Sequence, residues 1–342
     1  MQPQNMNYLE DKMEFSQQIL NIDPAAEAER IVSMLRKSVR KDMRRYGGVV
    51  GISGGVDSST VLALCVRAFG PEKVVAIAMP DKDSDPESEP LARQLANHFG
   101  VEPIVEDITP ALEGFGCYAR RDRAVKNVYP GYAPEEGYKS KIVLPQDLLD
   151  RDTLNVFYLT VVTPEGEEVS QRLPVQDYLQ IVAASNLKQR TRMSTLYYHG
   201  ESRNFAVIGT ANKNEHGQGF FVKYGDGGVD IQPIAHLFKT QVYQLAEYLD
   251  VPEDIRRRPP TTDTYSAHCT QEEFFFRLPF EMMDMLWYAK ENNIPVAQVA
   301  RVMGLNTDQV QRAFNDFTRK ERTTEYLRMA PIVIDNDSRL KV

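Results

Sequence analysis

The residues Ser53-Gly54-Gly55-Val56-Asp57-Ser58-Ser59 combine the groups needed to hold a chain of phosphates. Glycines let the backbone come close to an anion and take φ values that other residues resist, and Ser53, Ser58 and Ser59 add hydroxyl donors. The apolar run 49–52 ahead of them reads as a strand. Val61, Leu62, Leu64, Cys65 and Val66 behind them read as a helix. The turn therefore opens a helix N-terminus, whose unpaired N–H groups and partial positive charge favour an anion. Asp57 would repel a bare phosphate, which calls for a Mg²⁺ ion between carboxylate and phosphate. The G-x-x-x-x-G-K-[ST] spacing of a Walker loop is absent. The plainer alternative is a serine-rich helix cap on an ordinary α/β unit.

Further polar groups fall where strands hand over to loops. Met79-Pro80-Asp81 ends a second apolar strand, 74–79, and is placed to meet adenine or ribose; a solvated loop is the bland reading. Thr210 follows a short buried strand, 205–208, and leads into Ala211-Asn212-Lys213-Asn214-Glu215. Asp226 and Asp230 sit in a glycine-rich turn too polar for core, or else in a simple Asx turn. Lys239 lies in the first turn of a helix, where a cation opposes the dipole and an anionic ligand would explain it. Thr261 closes the rigid Pro259-Pro260-Thr261 turn. Lys188, Arg190 and Arg192 spread around a helix rather than forming one stripe, as on a solvated face.

The elements that must position these groups alternate as βαβαβ, with strands apolar on both faces. That predicts an α/β fold: a doubly wound parallel sheet flanked by helices. Residues 1–22 read as a polar lead-in. Asp23 caps a helix that starts at Pro24, carries the stripe Ile31, Val32, Leu35, Val39, Met43, and ends at Gly47-Gly48. A helix over 89–99 and a strand over 103–106 follow. Residues 116–180 break the rhythm as an insertion, with a β-hairpin over 155–162 and 168–173 that reads either as surface decoration or as a lid or specificity element. Residues 280–342 form a helical C-terminal extension. Its two short helices, 296–303 and 307–320, mimic a helix-turn-helix.

Composition narrows the function classes. The 342 residues carry a net charge of −8, which argues against nucleic acid as the main partner. Cys65, Cys117 and Cys269 are far apart, giving no metal pair or disulfide framework and fitting a reducing, cytoplasmic setting. The N-terminus lacks the apolar core of a signal peptide, and no apolar run approaches membrane-spanning length.

With these residues in view, Ser-Gly-Gly-Val-Asp-Ser resembles the pyrophosphate loop of the N-type ATP pyrophosphatases. The blocks 53–59, 186–193, 209–230 and 239–261, in that order, resemble the ammonia-dependent NAD⁺ synthetases of the adenine nucleotide α-hydrolase superfamily. The resemblance runs over residues 23–330 apart from most of the insertion. It implies ATP- and Mg²⁺-dependent adenylylation of nicotinic acid adenine dinucleotide, then attack by ammonia to give NAD⁺, AMP and pyrophosphate. By that resemblance Asp57 and Glu215 hold Mg²⁺. Ser53, Gly55, Ser58, Lys239 and Thr261 hold phosphates and Thr210 contacts ATP, while Gly54, Ser59 and Met79 are expected among the ATP-binding groups by their places in the loop and at the strand end. Arg190 and Lys223 contact nucleotide, while Asp226 stands near the nicotinate and the incoming ammonia. Asp57, Lys239 and Asp226 are the expected catalytic groups. A homodimer is implied, without nucleic acid or membrane. Residues 1–52 are too few for a fused glutaminase, so ammonia is expected free or from a separate glutaminase.

Two departures stand out. Thr262-Asp263-Thr264 replaces the common Ala-Asp-Leu, and the insertion is longer than a minimal synthetase needs. They motivate an alternative: a paralogue that adenylylates and amidates a different carboxylate. A tRNA-thiolating enzyme would need a sulfur source and fits the scattered cysteines poorly. A nucleotide-binding regulator without turnover fits poorly with retention of Asp57, Glu215 and Lys239.

Overall fold

A computed structural model of the chain describes residues 15–150, 156–262 and 264–333. Asn155, Asp263 and the outer ends of the lead-in and of the C-terminal extension lie outside the described residues. Helix α1 (Pro24–Lys37) starts where expected, with Asp23 Oδ1 accepting from the amides of Ala25 and Ala26 at 3.0 and 3.1 Å. It gives way to a π turn, Ser38–Asp42, before the glycines are reached.

The four strands β1 (Gly48–Gly51), β2 (Val74–Ala78), β3 (Pro103–Val105) and β7 (Ala206–Ile208) form a parallel sheet in the order β3-β2-β1-β7. Helices α2 (Val56–Phe69) and α3 (Ser88–His98) connect the first three strands, and α4 (Thr109–Gly114) and α5 (Cys117–Val128) leave the third. The chain then builds β4 (Lys139–Val143), β5 (Tyr158–Val162) and β6 (Glu168–Arg172) and enters the 29-residue helix α6 (Val175–Arg203), which returns to β7. Adjacent residues of β1 serve different cores. Val50 packs with α1, α2 and α8 (Lys239–Tyr248), whereas Val49 packs with Ile77, Leu112 and Tyr118 on the other face. Both faces are covered, as the apolar strands require. The order of strands reverses between β1 and β7, and in such sheets ligands bind beyond the carboxyl ends at the reversal.

The insertion contains a three-stranded antiparallel sheet, β4-β5-β6, rather than a hairpin alone. β4 escaped notice because Lys139 and Lys141 interrupt its apolar pattern. Lys141 is nevertheless buried and paired with Glu168 at 3.2 Å. The lead-in also differs from its polar reading, since Phe15, Ile19 and Leu20 are buried in the C-terminal cluster.

After β7 come α7 (Lys213–Gln218), α8, α9 (Glu253–Arg257), α10 (Phe280–Glu291), α11 (Val296–Met303), α12 (Thr307–Thr323) and α13 (Glu325–Arg328). The helices that resemble a helix-turn-helix close on α10, burying Val299, Val310 and Phe317 with Trp287. The three cysteines are free and buried. Among the described residues no helix is long and apolar enough to cross a membrane.

Gly47 does not end α1; it admits the start of β2. A Cβ there would lie 2.1 Å from the Lys73 carbonyl oxygen and 2.9 Å from the Phe205 ring. Backbone cannot swing aside as a side-chain tip can, so Gly47→Ala should lower the free energy of unfolding by about 1–3 kcal/mol. Urea titration followed by circular dichroism measures it.

Candidate active site

The turn after β1 is built for close approach. Gly54 has φ +73, a region that favours glycine, and a Cβ there would meet the Leu91 Cβ at 2.9 Å. α2 begins two residues later, so Asp57 falls in its first turn. Ser58 Oγ is fixed by the Gly55 carbonyl at 3.0 Å and lies 3.4 Å from Ser53 Oγ. Ser59 is fully buried and spends its hydroxyl on the Gly55 carbonyl, so it shapes the turn from behind.

β7 lies beside β1, with Ile208 opposite Val50, which brings Thr210 and α7 alongside this turn. Asn212 caps α7. Its Oδ1 accepts from the Glu215 amide at 3.0 Å, and Glu215 Oε2 accepts from the Asn212 amide at 3.1 Å. Asn212 Nδ2 also donates to Asp57 Oδ1 at 2.9 Å. One buried amide thus joins the two carboxylates. Lys239 Nζ bonds Asp57 Oδ2, and Gln271 Nε2 donates to Glu215 Oε1 at 3.1 Å. Burial and the neighbouring Asp57 push the Glu215 carboxyl up to about 8. Burial alone would lower the Lys239 ammonium, but Asp57 and Glu215 hold it above its ordinary value. Two carboxylates sharing one lysine leave negative charge poorly neutralised, which fits a divalent cation between Asp57 and Glu215.

These groups open into a cleft of about 810 Å³. Ser53, Gly55, Asp57, Ser58, Met79, Thr210, Glu215, Asp226, Lys239 and Thr261 all line it. Asp226 is held by the Val222 amide at 2.8 Å, and burial pushes its carboxyl up to about 6. Gly54 and Ser59 support the turn without lining the cleft. Arg190 and Lys223 are not brought into it: Arg190 is exposed, and Lys223 Nζ donates to the carbonyls of Tyr326 and Met329 at 2.8 and 2.7 Å.

Sequence reasoning missed Arg192, which lines the cleft and donates to the Met79 carbonyl and Asp81 Oδ2, each at 3.1 Å. With Lys188 it forms an i, i+4 pair facing Asp81, not a solvated spread. Lys188 Nζ lies 3.0 Å from Asp81 Oδ1 and 2.8 Å from Asp83 Oδ2. Burial alone would raise the Asp81 carboxyl, but these cations hold it below the usual range. The available signal was spacing, two cations four apart facing a loop with acids at 81 and 83. Arg258 was also missed; it lines the cleft beside Gly54 and donates to Asp85 at 2.8 Å.

Fold and cleft together define an α/β nucleotide-binding protein whose ligand end lies at the sheet's reversal point. The family model of NAD synthase matches residues 27–129 and 154–329, and the chain belongs to that family. The chain is 49% identical over 325 residues to the NH(3)-dependent NAD(+) synthetase of Rhizobium meliloti (strain 1021), covering 95% of this chain and 96% of that one. Two solved structures share the fold at a TM-score of 0.59, each covering 92% of this chain and 100% of the other. They are an NH3-dependent NAD synthetase from Campylobacter jejuni, 21% identical, and an NMN synthetase from Francisella tularensis, 20% identical.

Asp284 sets the height of Lys239. It accepts from the amide and hydroxyl of Thr240, each at 2.9 Å, and from Asn214, whose Oδ1 takes the Lys239 amide at 2.9 Å. Burial pushes its carboxyl from 3.8 up to about 6, so the folded chain binds the proton more tightly than the unfolded one. The stability of the protein relative to Asp284→Asn should therefore fall as pH rises from 3.8 to about 6 and level off above, by at most about 3 kcal/mol. Unfolding titrations of both proteins across that range check the sign.

Proposed function

We propose that the chain converts nicotinic acid adenine dinucleotide to NAD⁺, using ATP to activate the carboxylate and ammonia to replace it. The observation that carries this reading is the meeting of Asp57, Glu215 and Lys239 at the sheet's reversal point, in one cleft with Asp226. A free carboxylate resists attack because its leaving group would be oxide; adenylylation replaces that with AMP. The triphosphate rests against the turn at residues 53–58, where the N-terminal amides of α2 and Lys239 offset its charge. The acceptor carboxylate oxygen bonds the α-phosphorus as the bond to the bridging oxygen breaks and pyrophosphate leaves. Ammonia nitrogen then bonds the acyl carbon, the bond to AMP oxygen breaks, and Asp226 takes the proton shed by nitrogen. A carboxylate raised to about 6 is ionised at neutral pH yet basic enough for that transfer.

Asp57 and Glu215 would hold Mg²⁺, which when bound supplies positive charge against the phosphates. The remaining residues keep the roles their places support: Ser53, Gly55, Ser58 and Thr261 toward phosphates, Met79 and Thr210 toward the nucleoside. A homodimer belongs to this reading, supported by the exposed apolar side chains Phe115, Val175 and Leu179. So does ammonia taken free or from a separate glutaminase, in a cytoplasmic setting. The insertion and the Thr262–Thr264 departure are the two grounds for an alternative acceptor carboxylate, and the first of them is weakened by the relatives. An alignment covering 325 residues of this chain is too long to omit 116–180, so the R. meliloti protein carries a comparable segment. That favours the dinucleotide.

Pyrophosphate release that requires the dinucleotide, with NAD⁺ and AMP formed together when ammonium is present, tests the reading. Release indifferent to the dinucleotide would move the assignment to another carboxylate. Asp57→Asn should cut AMP formation about 10²–10³-fold in a protein that still folds, with its stability lowered because Lys239 loses its nearest partner. Asp226→Asn should slow amide formation about 10²-fold while a pyrophosphate burst persists and acyl-adenylate accumulates. Equal loss of both steps would remove Asp226 from proton transfer.

A further inference from the structure

A second cation, besides Lys239, meets the turn at residues 53–58. Gly54 has no side chain, and three groups close on the space a side chain would take. A Cβ built there would lie 2.9 Å from the Leu91 Cβ, 3.1 Å from the Ser88 carbonyl oxygen and 3.3 Å from Arg258 Nη1. The Arg258 guanidinium therefore rests against the backbone of Gly54. It lines the cleft together with Ser53, Gly55 and Ser58 of the same turn.

Local sequence and packing fix its place. The helix ahead of it, α9, is anchored by the fully buried Ile255. Pro259 behind it disfavours helical backbone at Arg258, which takes φ −67 and ψ 127. The Pro259-Pro260 turn then carries Thr261 to the same cleft, so one rigid stretch presents a guanidinium and a hydroxyl. The Arg258 side chain is 15% exposed and is anchored at one tip. Nη2 donates to Asp85 Oδ2 at 2.8 Å and to Ser88 Oγ at 3.1 Å. Among the described residues no hydrogen bond leaves Nη1 or Nε. Because the guanidinium is a rigid, planar fork of donors, anchoring Nη2 also aims Nη1 and leaves its donors unused. Lys239 differs in this respect, since its Nζ already bonds Asp57.

Resting on the function proposed above, we infer that Arg258 is a further catalytic residue, which clamps the pyrophosphate end of ATP and stabilises it as it leaves. When the acceptor oxygen bonds the α-phosphorus, the bond to the bridging oxygen breaks and its electron pair stays on that oxygen. Negative charge then grows on the departing pyrophosphate, and Arg258 Nη1 donates to it. A donor fixed beforehand where charge develops favours the transition state over the ground state. Asp85 and Ser88 are positioning residues that act through the guanidinium.

The test uses the full-length enzyme with Mg²⁺ and reads pyrophosphate separately from AMP. Arg258→Ala should weaken pyrophosphate binding in calorimetry about tenfold, while AMP binds as it does to wild type. The same variant should slow pyrophosphate release from ATP in the presence of the dinucleotide about 10²-fold. Added guanidinium ion should recover part of that rate, because the truncation leaves room for it. Asp85→Asn removes the charge of the anchor but keeps an acceptor for the Glu87 amide, and should hold pyrophosphate affinity within ~3-fold. Arg257→Gln, at a neighbouring side chain that is 80% exposed, should match wild type throughout. Equal weakening of pyrophosphate and AMP in Arg258→Ala would overturn the inference while leaving the function intact. So would a loss in Asp85→Asn as large as in Arg258→Ala, since the pair would then be a structural clip. A wild-type enzyme that neither binds ATP nor releases pyrophosphate from it would overturn both.

Discussion

The structure depends on a buried exchange of charge at the reversal point of the sheet. Asp57 on α2, Glu215 on α7 and Lys239 on α8 come from three elements far apart in sequence, and none is tolerable alone where it sits. Lys239 is 1% exposed, and burial disfavours its charge while Asp57 and Glu215 favour it. Removing one partner from such a cluster typically costs about 3–5 kcal/mol, since the other charge stays buried. The surrounding amides follow from this constraint. Asn212 joins Asp57 to Glu215, Gln271 completes Glu215, and Asn214 with Asp284 fixes the first turn of α8. Each satisfies one group and places another, so the charge cluster also sets the angles at which three helices enter the cleft.

What was legible in the sequence is what local chemistry determines. Asp23-Pro24 is a helix start whatever lies around it, and Ser53–Ser59 describe a turn and a helix start within seven residues. The parallel sheet followed from strands apolar on both faces. Asp57, Glu215 and Lys239 could each be named, yet their joining by Asn212 could not. A capping Asn is ordinary, and its second bond runs to a residue 155 positions away. Arg190 and Arg192 show the opposite difficulty. They are two residues apart, so on a helix they point in different directions, and only the position of Asp81 decides which one enters the cleft. Lys223 reads as a ligand contact, but its ammonium is already held by two carbonyls of the C-terminal segment.

β4 and the lead-in were illegible for a shared reason. Both are half-polar segments whose burial is imposed from outside. Lys141 is buried because Glu168 sits across from it, and Phe15, Ile19 and Leu20 are buried because α10 and α12 leave an apolar surface for them. No periodicity within those residues carries that information. The insertion as a whole is of this kind, and the family model passes over 130–153.

On the function proposed, the turn at residues 53–58, the carboxylate pair and Lys239 act on groups common to any carboxylate activated by ATP, which leaves discrimination between acceptors to other parts of the cleft. In this chain the inserted sheet grips the segment after Pro259-Pro260-Thr261 through backbone bonds at Ser140 and Leu144. The same segment carries Gln271, which donates to Glu215. The aromatic side chains Tyr265 and Phe274, which line the cleft, and the amide steadying the carboxylate pair thus ride on one stretch of chain.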